Sequence, residues 1–101
     1  MKIRYHPEAS KEIDEAFDWY EANQPGLGPK FIDEAESAIH RIRNYPHLHP
    51  HVFKDVRKAV IPIFPYGIIY SVNEEVIEVY AVAHLHRKPF YWKKRTKGNK
   101  R

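Results

Sequence analysis

The feature that most constrains this chain is a change of hydrophobic period near its middle. Ala9, Ile13, Ala16, Phe17 and Tyr20 form one apolar stripe, and Phe31, Ile32, Ala35, Ala38, Ile39 and Ile42 form a second. Both recur at three- and four-residue spacing, the signature of one face of an α-helix. Between them stands Asn23-Gln24-Pro25-Gly26-Leu27-Gly28-Pro29, a cluster that stops one helix and lets the next begin at Gly28-Pro29. His6-Pro7-Glu8 opens the first helix, with proline where its missing N–H costs nothing. The second runs to about Asn44, ahead of Tyr45-Pro46. Neither helix can bury its stripe alone, so the pair must fold back as an antiparallel hairpin. Opposite the first stripe lies an acidic face of Glu8, Glu12, Asp14, Glu15, Asp18 and Glu21, against Lys11 alone.

The other elements have strand character. Lys2-Ile3-Arg4-Tyr5 alternates and predicts a short first strand. After a linker from His47 to Asp55, Val56 to Phe64 is rich in β-branched and aromatic residues, with Pro62 marking a strand end, a bulge or an edge. Phe64-Pro65-Tyr66-Gly67 is predicted as a turn, Ile68 to Val72 as a strand, Asn73-Glu74-Glu75 as a turn and Val76 to Ala83 as the last strand. The order β-α-α-β-β-β predicts an α+β fold, a helical hairpin packed on one face of a small, mostly antiparallel sheet. At 101 residues, with 43% hydrophobic and 14% aromatic, the chain supplies the core of one domain. No apolar run approaches the ~18 residues of a membrane span. MKIRYHPEAS carries no signal-like stretch, and the expected location is the cytoplasm, with no membrane partner.

Cysteine is absent, which excludes disulfides, thiolate metal sites and a cysteine nucleophile. The formal net charge of +4 is concentrated in KKRTKGNKR, residues 93–101, which hold six of the 17 basic residues and no acid. The other 92 residues carry 11 basic and 13 acidic side chains. The expected division is therefore a body at 1–92 and a basic tail at 93–101. Beside Phe90, Tyr91 and Trp92, that tail suits phosphates or an acidic partner, or serves only solubility. His47, His49 and His51 alternate, as do His84 and His86, but no carboxylate lies between Tyr45 and Lys54 and two prolines interrupt the first run. They read as solvated loop histidines, with no metal and no cofactor. There is no Gly-rich phosphate loop, and none of Ser10, Ser37 and Ser71 has a triad-like setting.

Taken in order, Tyr5-x-Pro7-Glu8-Ala9, the helical hairpin, Val56-Arg57-Lys58-Ala59, Phe64-Pro65-Tyr66, Ile68-Ile69-Tyr70-Ser71-Val72 and Val79 to Pro89 resemble the RelE/ParE family of toxins from type II toxin–antitoxin pairs. The likeness covers about residues 1–92. FPY and H-x-x-R-x-P-x-Y-W, from His84 to Trp92, are more similar to the ParE-like branch and its plasmid-stabilisation relatives. The resemblance implies a growth-inhibiting toxin neutralised by a cognate antitoxin in a hetero-oligomer. RelE-like members cut messenger RNA on the ribosome without a metal, and ParE-like members block DNA gyrase. One scaffold carries both, so the fold does not choose between an enzyme and an inhibitor.

Metal-free RNA cleavage needs a proton acceptor, a proton donor and fixed positive charge on the phosphorane. Arg57 and Arg87 match the family's phosphate-binding arginines, and guanidinium suits two phosphate oxygens at once. His84 titrates near neutrality when unperturbed, and Tyr91 lies where RelE-like members place an aromatic that stacks on a base or donates a proton. Each has a plainer role open to it. Strand alternation puts His84 on the face of Tyr80 and Val82 as a hydrogen-bonded, partly buried residue. Arg87 suits a pair with Glu78 or the acidic helix, Arg57 an outward strand position, and Pro89, Tyr91 and Trp92 packing against the sheet. The lysine-rich region of active nucleases is reduced here to Lys54 and Lys58, which favours the ParE-like inhibitor over the endoribonuclease. Lys54, Lys58, Lys93, Lys94 and Arg95 are the expected contacts to nucleic acid or target. A degenerate member that only binds its partner is the third class.

Overall fold

The computed structural model describes residues 1–96. Strand β1 (Lys2–Tyr5) leads into helix α1 (Pro7–Asn23), and α2 (Leu27–Asn44) folds back on it. Four strands follow, β2 (His51–Phe53), β3 (Val56–Ile61), β4 (Tyr66–Asn73) and β5 (Val76–His84), then a single helical turn, α3 (Lys93–Thr96). Together the strands make one sheet in the order β1-β5-β4-β3-β2, antiparallel except where β1 joins β5 in parallel. The expected α+β arrangement is therefore present, with one strand more than the sequence suggested.

The helix ends follow from local chemistry. The Glu8 N–H donates to His6 Nδ1 at 3.1 Å, and Pro7 takes the first helical position. At the hairpin, Gly26 sits at φ +94°, a left-handed conformation that glycine adopts without Cβ strain. Glu21 Oε1 accepts from the N–H groups of both Gly26 and Gly28 at 3.0 Å, satisfying donors at the start of α2. Glu21 is thus a cap for the next helix and not simply part of a solvated acidic face.

The sheet buries both faces. Under the helices, Phe31, Ile42, Ile61, Ile68, Tyr70, Ile77 and Val79 form the larger core. On the opposite face Val56, Ile69, Tyr80, Ala81 and Ala83 form a smaller cluster closed by Trp92. The register between β4 and β5 shifts between Ile69 and Tyr70, whose partners are Ala81 and Val79. The bulge leaves Tyr80 as the extra residue and reverses the alternation after it. Val82 consequently joins the helix-side core while Tyr80 belongs to the outer cluster. His84 shares a face with Val82 only, which corrects the reading that placed all three together.

Two strand boundaries also change. Ile61 ends β3, because Pro62 offers no N–H and Ile63 turns to φ +62°. Tyr66 and Gly67, expected in the turn, are the first residues of β4 and pair with Ile61 and Val60. His51–Phe53, expected as linker, pairs with β3 through His51 opposite Arg57.

Candidate functional site

The segment after β5 returns across the outer face of the sheet and is fixed by one buried carboxylate. Glu12, on α1, is only 8% exposed. Its Oε1 accepts from the Val82 N–H at 2.9 Å and from Arg95 Nη1 at 3.1 Å. Its Oε2 accepts from the Tyr91 hydroxyl at 2.8 Å and from Arg95 Nη2 at 2.9 Å. Arg95 Nη1 also donates to the Tyr80 carbonyl at 3.0 Å. This arrangement has a cause in the sheet. β1 stops opposite Val79, where the His6 N–H donates to the Val79 carbonyl. Past that point the Glu12–Arg95 pair meets the backbone of β5 where a neighbouring strand would otherwise stand.

Glu12 was assigned from the sequence to the acidic outer face, and its burial corrects that. The signal was present: Glu12 lies three residues after Ala9 and four before Ala16, on the apolar stripe itself. Arg95, expected among the tail cations, has its side chain 14% exposed and committed to Glu12. The packed body accordingly continues through Thr96, which is buried and donates its hydroxyl to the Lys93 carbonyl. The boundary drawn after Trp92 falls inside it. Lys97, Lys100 and Arg101 of the expected tail lie outside the described residues.

Tyr91, Arg87 and His84 are brought near one another. The Arg87 guanidinium carbon stands 3.9 Å from the centre of the Tyr91 ring, and that of Arg95 stands 5.1 Å from it. Arg87 Nη1 is 3.9 Å from Glu12 Oε2, the outermost contact of the network. Burial, then the hydrogen bond to Glu12, raises the Tyr91 pKa well above the ordinary tyrosine range. A phenol so held is a poor proton donor at neutral pH. His84 Nδ1 accepts from the His86 N–H at 3.1 Å, which leaves the proton of the neutral ring on Nε2. The His84 ring also stands edge-on to Tyr66, 5.1 Å away.

Arg57 is elsewhere. Its register partner in β4 is Tyr70, whereas that of His84 is Tyr66. Four residues of strand separate the two rows, roughly 13 Å along the sheet. Arg57 Nη1 donates to the carbonyls of His47 and His49 at 2.9 and 2.6 Å and so organises the loop before β2. His49 Nδ1 lies 3.1 Å from the Tyr70 hydroxyl, which itself donates to the Pro46 carbonyl at 2.8 Å. Burial, and then nearby Arg41 and Arg57, lowers the His49 pKa. His49 is therefore a packed residue of this clasp and not a solvated loop histidine. Among the described residues, no group of three or more His, Asp or Glu is placed to hold a metal ion.

Of the expected target contacts, Lys54 occupies the β2–β3 turn at φ +51°, with its ammonium 5.4 Å from the Phe53 ring centre. Lys93 covers the same ring at 4.7 Å, and Lys94 is exposed. Lys58 lies on the outer face and helps line a cavity of about 220 Å³ between the sheet and the returning segment, together with His84, Arg87 and Tyr91. The face has two aromatic–cationic parts, this cavity and the Phe53 edge.

Comparison with known proteins places these features in a family. The description "ParE toxin of type II toxin-antitoxin system, parDE" matches residues 3–89. Y4kP, a toxin candidate of Sinorhizobium fredii, is 26% identical over 88 residues, which is 86% of this chain and 91% of that protein. A solved structure from P. aeruginosa, described as a chromosomal ParDE TA system, superposes with a TM-score of 0.69 at 14% identity. It covers 85% of this chain and 97% of the matched one, and at that identity it speaks to the fold alone. No helix among the described residues is long and apolar enough to cross a membrane.

Proposed function

This chain belongs to the ParE toxin family of type II toxin–antitoxin systems, and from that premise we propose that it inhibits DNA gyrase by binding it, in the cytoplasm, and is neutralised by a cognate antitoxin in a hetero-oligomeric complex. The observation that supports inhibition over RNA cleavage is that two of the four candidate nuclease residues are otherwise committed, and Arg57 stands apart from the other three. Arg57 is engaged by loop carbonyls at the far end of the sheet. The Tyr91 hydroxyl is engaged by Glu12. A phosphorane there would meet the cations Lys58, Arg87 and Lys88 but His84 alone as a proton carrier, short of the separate donor and acceptor that metal-free cleavage needs. An inhibitor has no transition state to stabilise, and anchors such as Arg87 and the aromatics around it suffice.

The test is brief induction in cells, with RNA and DNA examined together. Double-strand breaks and a DNA-damage response, with intact messages, are the expected result. Codon-phased cuts in translated messages over intact chromosomes would refute it in favour of the endoribonuclease. Harmless expression, with capture of an antitoxin and neither lesion, would mark a member that only binds its partner.

A further inference from the structure

We infer that the cavity between the outer face of the sheet and the segment 85–92 is an anchor pocket for one apolar side chain carried on an acidic protein segment. This deepens the reading above and rests on its claim that the face engages a protein target. Val52, Ile69, Ala83, Leu85 and Pro89 form the aliphatic part of its wall. Lys58, Arg87 and Lys88 also line it, and no acid does. At about 220 Å³ it falls below the ~300–1,000 Å³ usual for small-molecule sites. Its size suits one large side chain of a partner, the kind of anchor that dominates protein interfaces.

The cationic side is held in place. A Cβ built at Gly67 would lie 3.0 Å from Lys58 Cδ and 3.1 Å from its Cγ. The absence of a side chain at Gly67 therefore leaves room for the Lys58 stem against β4, and Lys58 lines the cavity. Arg87 is steadied by the Tyr91 ring beneath it. Fixed cations around an apolar hollow favour an anionic partner and disfavour a basic one.

A single-stranded nucleic acid offers anions too, but it needs open aromatic faces on which to stack bases. In the returning segment only Phe90, 46% exposed, keeps such a face. Arg87 and Arg95 both stand over the Tyr91 ring, and Trp92 is 4% exposed, with Phe53 and Phe90 packed edge-on against it. The aliphatic walls accept a leucine or phenylalanine side chain, and one open ring falls short of the run of platforms that stacks successive bases. The observations favour the protein segment.

The full-length protein should be titrated with an acetylated peptide bearing one phenylalanine between two Glu-Asp pairs, and with the same peptide carrying alanine or carrying lysines for its acids. A single-stranded DNA octamer is the fourth probe. Saturable binding of the acidic phenylalanine peptide is expected, at least tenfold weaker for the other two peptides. Lys88→Glu, an exposed substitution that leaves the core untouched, should weaken it about tenfold, and Ala83→Leu should abolish it by filling the cavity. Equal binding of the phenylalanine and alanine peptides would overturn the anchor. Tighter binding of the octamer would overturn the choice of ligand. Double-strand breaks in cells beside a failed peptide titration would refute the pocket and leave the gyrase reading standing. Peptide binding beside cut messages would do the reverse.

Discussion

Glu12 makes four hydrogen bonds from a carboxylate almost sealed from solvent. Removing one partner of such a pair leaves the other charge buried, at a cost of ~3–5 kcal/mol. Glu12→Ala should lose about that much in urea unfolding, and Glu12→Gln, which keeps an acceptor for the Val82 N–H, should lose less. Tyr91 gives the same network a pH signature. Its pKa is higher in the folded protein than in the unfolded chain, so above about pH 10 the native state holds more protons. Stability must then fall as pH rises through that range, being fully present below the ordinary tyrosine value. Tyr91→Phe should flatten this alkaline slope. Tyr5, Tyr20, Tyr66 and Tyr70, also raised by burial, should retain the remainder. A slope unchanged in Tyr91→Phe would mean that the hydroxyl is not held as described. Sequence reasoning reached Tyr91 and Arg87 through the family motif, and Glu12 was within reach of the stripe. What hid it was its charge: a carboxylate among acids on a helix is normally solvated, and its partners Tyr91 and Arg95 are some eighty residues away.

Among the elements, the two helices were legible because their stripes and the breaker between them are local. β2 was not, since three residues beside two histidines and a proline have no strand pattern of their own and pair only because Arg57 presents a free edge. The bulge at Tyr80 was equally hidden, because a run such as Val79-Tyr80-Ala81-Val82-Ala83, apolar at every position, looks the same with or without an extra residue. The β3–β4 connection holds a local strain. Ile63 is β-branched, 69% exposed and at φ +62°, a conformation costing an L-residue roughly 1–2 kcal/mol. Ile63→Gly should therefore raise stability by about 1 kcal/mol in a denaturant titration. A loss would show that the exposed isoleucine makes a contact worth more than its strain. The turn α3 is a fourth structural piece of the body. Truncation after Trp92 removes Arg95 and leaves Glu12 short of its cation, so it should lower the melting temperature sharply.

At the scale of the whole molecule, charge is divided between two sides. Asp14 and Asp18 are exposed on α1 with Trp19, 64% exposed, while Lys58 and Lys88 line the cavity over the outer sheet face, and Arg87 stands at the border, where it also lines a hollow with Glu12 and Glu15. Three of the 17 basic residues are Lys97, Lys100 and Arg101, leaving 14 against 13 acids in the rest. If those three assist target binding, truncation after Thr96 should weaken binding chiefly at low salt and flatten its dependence on ionic strength. An unchanged dependence would assign them to solubility. The sheet's own wiring sets an order in time. β1 is the first strand made, yet its partner β5 begins at Val76, and the Glu12 carboxylate waits for Arg95. A ribosome adding about 5–20 residues per second needs several seconds to span either interval. Until then the nascent chain holds a helical hairpin without the central strand of its sheet and an anionic side chain without its arginine. The toxin fold can close only once β5 and Arg95 have been made, so an antitoxin that recognises the finished face has no substrate for capture until then, while one that recognises the hairpin can engage the chain as it emerges.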